Sequence, residues 1–198
     1  MTVPGIINDT RYAEIQASLK KNYSVISQAF KKMSEEKGYT ITASYGNLIL
    51  AEDMKKYFRI GFDCQGYNYN QYCYHPTKMS YKTFSGTEQA ANSIIDDGGY
   101  MMTDGSLYLF ENAGGGNRHT TYITVDTNSI KKGPNRWGYD LFTFQLTNDG
   151  KFLPMGAPDT HYTDMDTYCS KNSSSTLNGI ACTEKALNDP NYFKNLDK

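Results

Sequence analysis

The feature that most restricts this chain is a stripe near its N-terminus. Tyr12, Ile15, Leu19, Tyr23, Ile26, Phe30 and Met33 follow one another at spacings of three and four. That period puts all seven on one face of an α-helix for about six turns, and a strand, with its period of two, cannot carry it. Arg11, Lys20, Lys21, Gln28, Lys31, Lys32 and Glu35 occupy much of the remaining surface. Asn8 or Asp9 is expected to cap the start, and Gly38 to stop the helix after Lys37. A helix with one apolar face must bury that face on something, so the rest of the chain has to supply a second layer.

That layer is predicted to be a sheet. A short second helix is expected over Leu48–Ile60, and beyond it the apolar period changes to two. Gly99–Met102, Ser106–Glu111, Thr120–Asp126 and Asp140–Leu146 read as strands rich in β-branched and aromatic residues. Asp104-Gly105 and Asn148-Asp149-Gly150 are hairpin signals, the second leading into Lys151–Leu153. After Pro154-Met155-Gly156 the chain is polar and irregular, with one short helix expected near Thr183–Asn188. Helix first and antiparallel strands after it make an α+β fold, read as one domain over residues 1–198.

Composition narrows the function classes. The 198 residues carry 20 basic and 21 acidic side chains, a balance that argues against a nucleic-acid binder working through bulk positive charge. The 17 tyrosines, with much Gly, Asn, Ser and Thr, are commoner in exported surface proteins than in cytosolic enzymes. Four cysteines allow three connectivities. Local pairing of Cys64 with Cys73 and of Cys169 with Cys182 asks least of loop closure, and it suits an oxidising compartment.

Catalytic signals are sparse. His75, His119 and His161 stand apart from any nucleophile or metal motif, and Gly114-Gly115-Gly116 precedes a strand instead of opening a helix. The stronger chemistry is oxygen-rich. Asp126 and Asn128 end one strand, and Asn135 and Asp140 follow across the Gly133-Pro134 turn. Hard cations such as Ca²⁺ take six to eight oxygen ligands, which Asp126, Asn128, Asn135 and Asp140 could begin to supply. Asx turns, in which such side chains bond their own backbone, account for the same residues. A second acidic group, Asp159, His161, Asp164 and Asp166, reads as a solvated loop. Tyr67, Tyr69, Tyr72 and Tyr74 are candidates for a sugar- or surface-binding patch.

Both ends and the centre of the sequence carry a family resemblance. Met1-Thr-Val-Pro-Gly-Ile-Ile-Asn-Asp-Thr-Arg11, running into Leu19-Lys-Lys-Asn-Tyr-Ser-Val-Ile-Ser-Gln-Ala-Phe30, resembles the part of a bacterial type IV pilin or type II secretion pseudopilin that follows its membrane segment. Lys132-Gly-Pro-Asn-Arg-Trp-Gly-Tyr-Asp140-Leu-Phe-Thr-Phe144 and Asp149-Gly-Lys-Phe-Leu-Pro-Met-Gly156 resemble the sheet region of such proteins; Asn178–Thr183 and Asn191–Asn195 resemble their C-terminal ends. The resemblance is loosest over residues 61–91. It implies a pilin-like fold, with residues 1–37 as the C-terminal half of a long helix and 38–198 as the globular head.

It also implies a non-enzymatic structural subunit of an extracytoplasmic pilus or pseudopilus, whose partners are other subunits and the inner-membrane assembly machinery. The leader, processing site and roughly twenty apolar residues of that family have no counterpart here, so the chain is expected to be a trimmed piece anchored through a missing segment. Some members bind calcium in sheet-side loops, which adds to the reading of Asp126 and Asn128. The alternative function is an adhesin or minor tip subunit that grips a glycan through its tyrosine-rich loops.

Overall fold

A computed structural model describes residues 3–46, 49–64, 73–74, 80–112 and 120–196, with side chains from residue 10 onward. Helix α1 spans Val3–Lys37, 35 residues. It begins ahead of the expected caps: Asn8 and Asp9 lie inside it, and Pro4 sits in its first turn, where a missing N–H costs no helical bond. Its end is as expected. Gly38 takes φ +74° and donates its N–H to the Ser34 carbonyl at 2.9 Å, the left-handed stop that glycine adopts without a Cβ penalty.

The expected second helix is shorter than its apolar pattern. Helix α2 covers Leu50–Met54 and tightens into a 3-10 turn over Lys55–Tyr57. Phe58 is then extended, and Ile60, the last residue of the expected helix, instead opens strand β1 (Ile60–Asp63). Gly61 weakens a helix at that point, and Ile60 and Phe62 find cross-strand partners in Met102 and Met101.

Five more strands follow: β2 (Gly99–Met102), β3 (Leu107–Glu111), β4 (Thr121–Asp126), β5 (Leu141–Leu146) and β6 (Phe152–Pro154). They lie in sequence order β1-β2-β3-β4-β5-β6, each antiparallel to its neighbour. Helix α3 (Met165–Tyr168) falls in the stretch expected to be irregular, and α4 (Cys182–Asn188) is the expected short C-terminal helix.

The pleat sorts the core into two layers. Tyr100, Tyr108, Phe110, Ile123, Val125, Phe142 and Phe144 point to the face that α1 covers. Across that face Tyr108 pairs with Val125 and Val125 with Phe142, so one row of side chains runs beneath the helix. On α1, Ile15, Leu19, Ile26, Phe30 and Met33 are buried in this cluster, and Tyr12 and Tyr23 pack half-buried against it. Tyr23 stacks on Phe144 at 5.3 Å and on Phe152 at 5.9 Å.

The alternate residues Met101, Leu107, Leu109, Tyr122 and Leu141 face the other way. They are covered by irregular chain carrying Tyr74, Tyr81, Trp137, Met155 and Ile180. Cys64 and Cys73 sit in this layer, whereas Cys169–Cys182 joins the irregular chain to the start of α4 and packs with the helix-side core. Cys64–Cys73 and Cys169–Cys182 are formed, with Cα–Cα distances of 5.7 and 5.0 Å. The sheet is therefore dry on both faces, which is why β4 and β5 are buried at every position.

Candidate functional site

The connection from β4 to β5 gathers the four oxygen-bearing residues singled out above. Asp126 closes β4 and Asp140 precedes β5, and both are fully buried. One Asp126 oxygen accepts the Asn128 N–H at 3.1 Å, and the other accepts the Tyr81 hydroxyl at 2.9 Å. Asp140 accepts the N–H of Arg136 at 2.8 Å and of Asn135 at 2.9 Å. Its own carbonyl takes the Thr127 N–H at 2.9 Å, which closes the loop at its base.

The loop turns through three left-handed residues, Ser129, Gly133 and Asn135, and its Gly133-Pro134 bond is cis. The amide groups of Asn128 and Asn135 donate to the carbonyls of Gly133 at 3.3 Å and Ile130 at 2.8 Å. Those bonds fix the orientation of both amides. They leave Asn128 Oδ1 and Asn135 Oδ1 shielded from solvent without a hydrogen-bond donor.

The electrostatics are strained in one direction. Burial pushes the Asp126 carboxyl up to about 7, and the neighbouring Asp140 charge adds to it. Burial raises Asp140 as well, opposed by the backbone N–H groups of Arg136 and Asn135 and by the charge of Arg11. Tyr81 is pushed well up by burial and then by Asp126. Arg11 itself donates to the Gly133 carbonyl. Among the described residues no Lys, Arg or His forms an ion pair with either carboxylate.

An Asx turn accounts for the Asp126–Asn128 bond, and the Tyr81 hydroxyl and the N–H groups of Asn135 and Arg136 supply the other donors to Asp126 and Asp140. These bonds leave two buried amide oxygens without a donor near two carboxylates that form no ion pair among the described residues, although buried polar groups are normally paired. A hard divalent cation would supply what both lack: its charge matches two carboxylates, and it takes neutral amide oxygens as ligands. Carboxylate and amide oxygens are the donors that calcium takes.

The other expected residues fall as follows. Tyr67, Tyr69, Tyr72, His75, Gly114–Gly116 and His119 lie outside the described residues. Tyr74 is buried, donates to Asn92 and stacks on Tyr81 at 5.3 Å, so it belongs to the core more than to a surface. Asp164 caps α3, accepting the Asp166 N–H at 3.0 Å and the Thr167 hydroxyl at 2.6 Å. His161 Nδ1 meets the Tyr122 hydroxyl at 2.5 Å. Two features escaped the sequence reading. One is Tyr81 as the partner of Asp126; the other is a cluster of Asp96, Asp97 and Glu111, whose carboxylate oxygens lie within 4.8 Å of one another. The adjacent pair Asp96-Asp97 was the only local signal for that cluster.

No protein-family model, curated protein or solved structure matches this chain.

Proposed function

We propose that the protein is a structural subunit of an extracytoplasmic fibre, a type IV pilus or a type II secretion pseudopilus. The observation that carries the reading is the use made of α1. A 35-residue helix spends one stripe closing a six-stranded antiparallel sheet and keeps its opposite face polar. That arrangement gives a head built on a rod, which is what a fibre assembled through its helices requires. The motif resemblance across the N-terminal helix, the β4–β5 loop and the C-terminal end supports it. Two disulfides fit an oxidising compartment. No described helix is long and apolar enough to cross a membrane, so insertion in this reading belongs to a segment ahead of α1.

In the same reading the β4–β5 loop holds calcium through Asp126, Asn128, Asn135 and Asp140. The ion would balance the buried carboxylates and tie the end of β4 to the start of β5. The proposed partners are further subunits and the inner-membrane assembly machinery.

Immunogold labelling of the organism that encodes the chain tests the proposal. Antibody raised against the chain should decorate surface or periplasm-spanning filaments, and deleting the gene should remove the label. Label spread evenly through the cytoplasm, with no filament, would overturn it.

A further inference from the structure

A groove of ≈510 Å³ runs between α1 and the edge of the sheet, away from the β4–β5 loop. Val25 and Ala29 of α1 form one side of its floor, and Phe58, Met102 and Tyr108 form the other. Its volume falls within the ~300–1,000 Å³ of ordinary ligand sites. The rim is cationic. Lys21 is held by Asp104 at 2.6 Å, and Glu36, at the next turn of α1, is taken by Lys56 and Tyr57. Lys32 on the helical wall and Arg59 on the opposite wall have no ion-pair partner among the described residues.

We propose that this groove docks a short extended segment of another protein in which Asp or Glu stands beside apolar side chains. Charge complementarity carries the choice: Lys32 on one wall and Arg59 on the other border an apolar floor with no ion-pair partner among the described residues, and Asp104, the carboxylate that lines the groove, is paired with Lys21. A peptide is favoured over an anionic lipid because the walls also offer hydrogen bonds. The Gln28 amide nitrogen is spent on Ser24 at 2.9 Å, which leaves its oxygen, with the Thr103 hydroxyl, free for a backbone. A fatty acid would use neither. The inference goes beyond assembly into a fibre and stands whether or not the chain forms one.

Selection of a random heptapeptide display library on the immobilised full chain tests it. Recovered peptides should be enriched in Asp and Glu next to Leu, Ile, Val or Phe. Their affinity, measured by fluorescence polarisation, should fall at least about tenfold in Lys32→Glu and again in Arg59→Glu. It should be unchanged in Lys194→Glu, an exposed site elsewhere, and should weaken with added salt. Circular dichroism checks that the variants fold. The proposal is overturned if no peptides are enriched, if bound peptides ignore both charge reversals, or if laurate occupies the groove and displaces every selected peptide.

Discussion

Asp126 and Asp140 are costly to ionise where they sit, and that cost has a sign that can be measured. Asp126 is raised from an ordinary value near 3.8 to about 7. Below about pH 4 it is protonated folded and unfolded alike, so it imposes no penalty. Between there and pH 7 the unfolded chain releases the proton while the native site retains it, and native stability falls as pH rises. In chelated protein the Tm advantage of wild type over Asp126→Asn should therefore shrink from pH 4 to 7 and level off above. Added Ca²⁺ should raise the wild-type Tm near neutral pH, by about 2.7 kcal/mol of linkage at a hundredfold excess over Kd, and leave Asp126→Asn unmoved. A flat difference across that pH window, with no response to Ca²⁺, would return the loop to plain Asx turns. Gly179 makes a second residue-scale case. It holds φ +107°, and a Cβ there would lie 2.5 Å from the Trp137 Cβ and 2.9 Å from the Phe84 Cβ. Neither neighbour can yield as a flexible chain end would, so Gly179→Ala should cost at least about 2–3 kcal/mol in denaturant unfolding. A loss under 1 kcal/mol would show that the segment shifts freely.

Among the elements, those with a local period were legible beforehand. The stripe of α1 and the alternation of β2 to β5 are each set by neighbours three, four or two residues away. The Asp104-Gly105 turn likewise depends only on its own backbone. The misread elements differ in cause. Ile60 is drawn into a strand because β2 is there to pair with it, whereas α3 is a single turn under the local Asp164 cap, too short to carry an apolar period, just ahead of the Cys169–Cys182 ring. The site divides the same way: Asp126, Asn128, Asn135 and Asp140 lie within one loop, whereas Tyr81 reaches Asp126 across 45 residues and Glu111 meets Asp96 and Asp97 across a turn of sheet. No local pattern announces either. The stripe also ranks positions on α1. Ile26 is fully buried, so Ile26→Ala should cost about 2–5 kcal/mol, while Lys31→Ala on the exposed face should stay within about 0.5 kcal/mol. Equal effects at the two sites would mean that α1 does not lie on the sheet by this face.

Taken whole, the molecule is a sheet between two covers held by different means. On one side the helices cover the sheet, α1 foremost with α2 and α4 beside it, their buried residues forming one cluster with β2 to β6. On the other side irregular chain must satisfy its backbone piecemeal: the Asn178 amide donates to the carbonyls of Ser170 and Ser173, and the N–H groups of Gly179 and Trp137 donate to the carbonyls of Tyr168 and Lys82. Such a layer has little cooperativity of its own, and the Cys169–Cys182 link limits how far it can open. Replacing both cysteines by serine should lower global stability by about 3 kcal/mol, the loop-closure figure for a ring of this size. The more telling effect is local. Hydrogen exchange should speed up across residues 157–181 while the amides of α1 and the central strands β4 and β5 keep their protection, because neither cysteine of that link lies in α1 or in the ladder. If α1 loses protection in step with residues 157–181, the two covers form one cooperative unit and the division drawn from the packing fails.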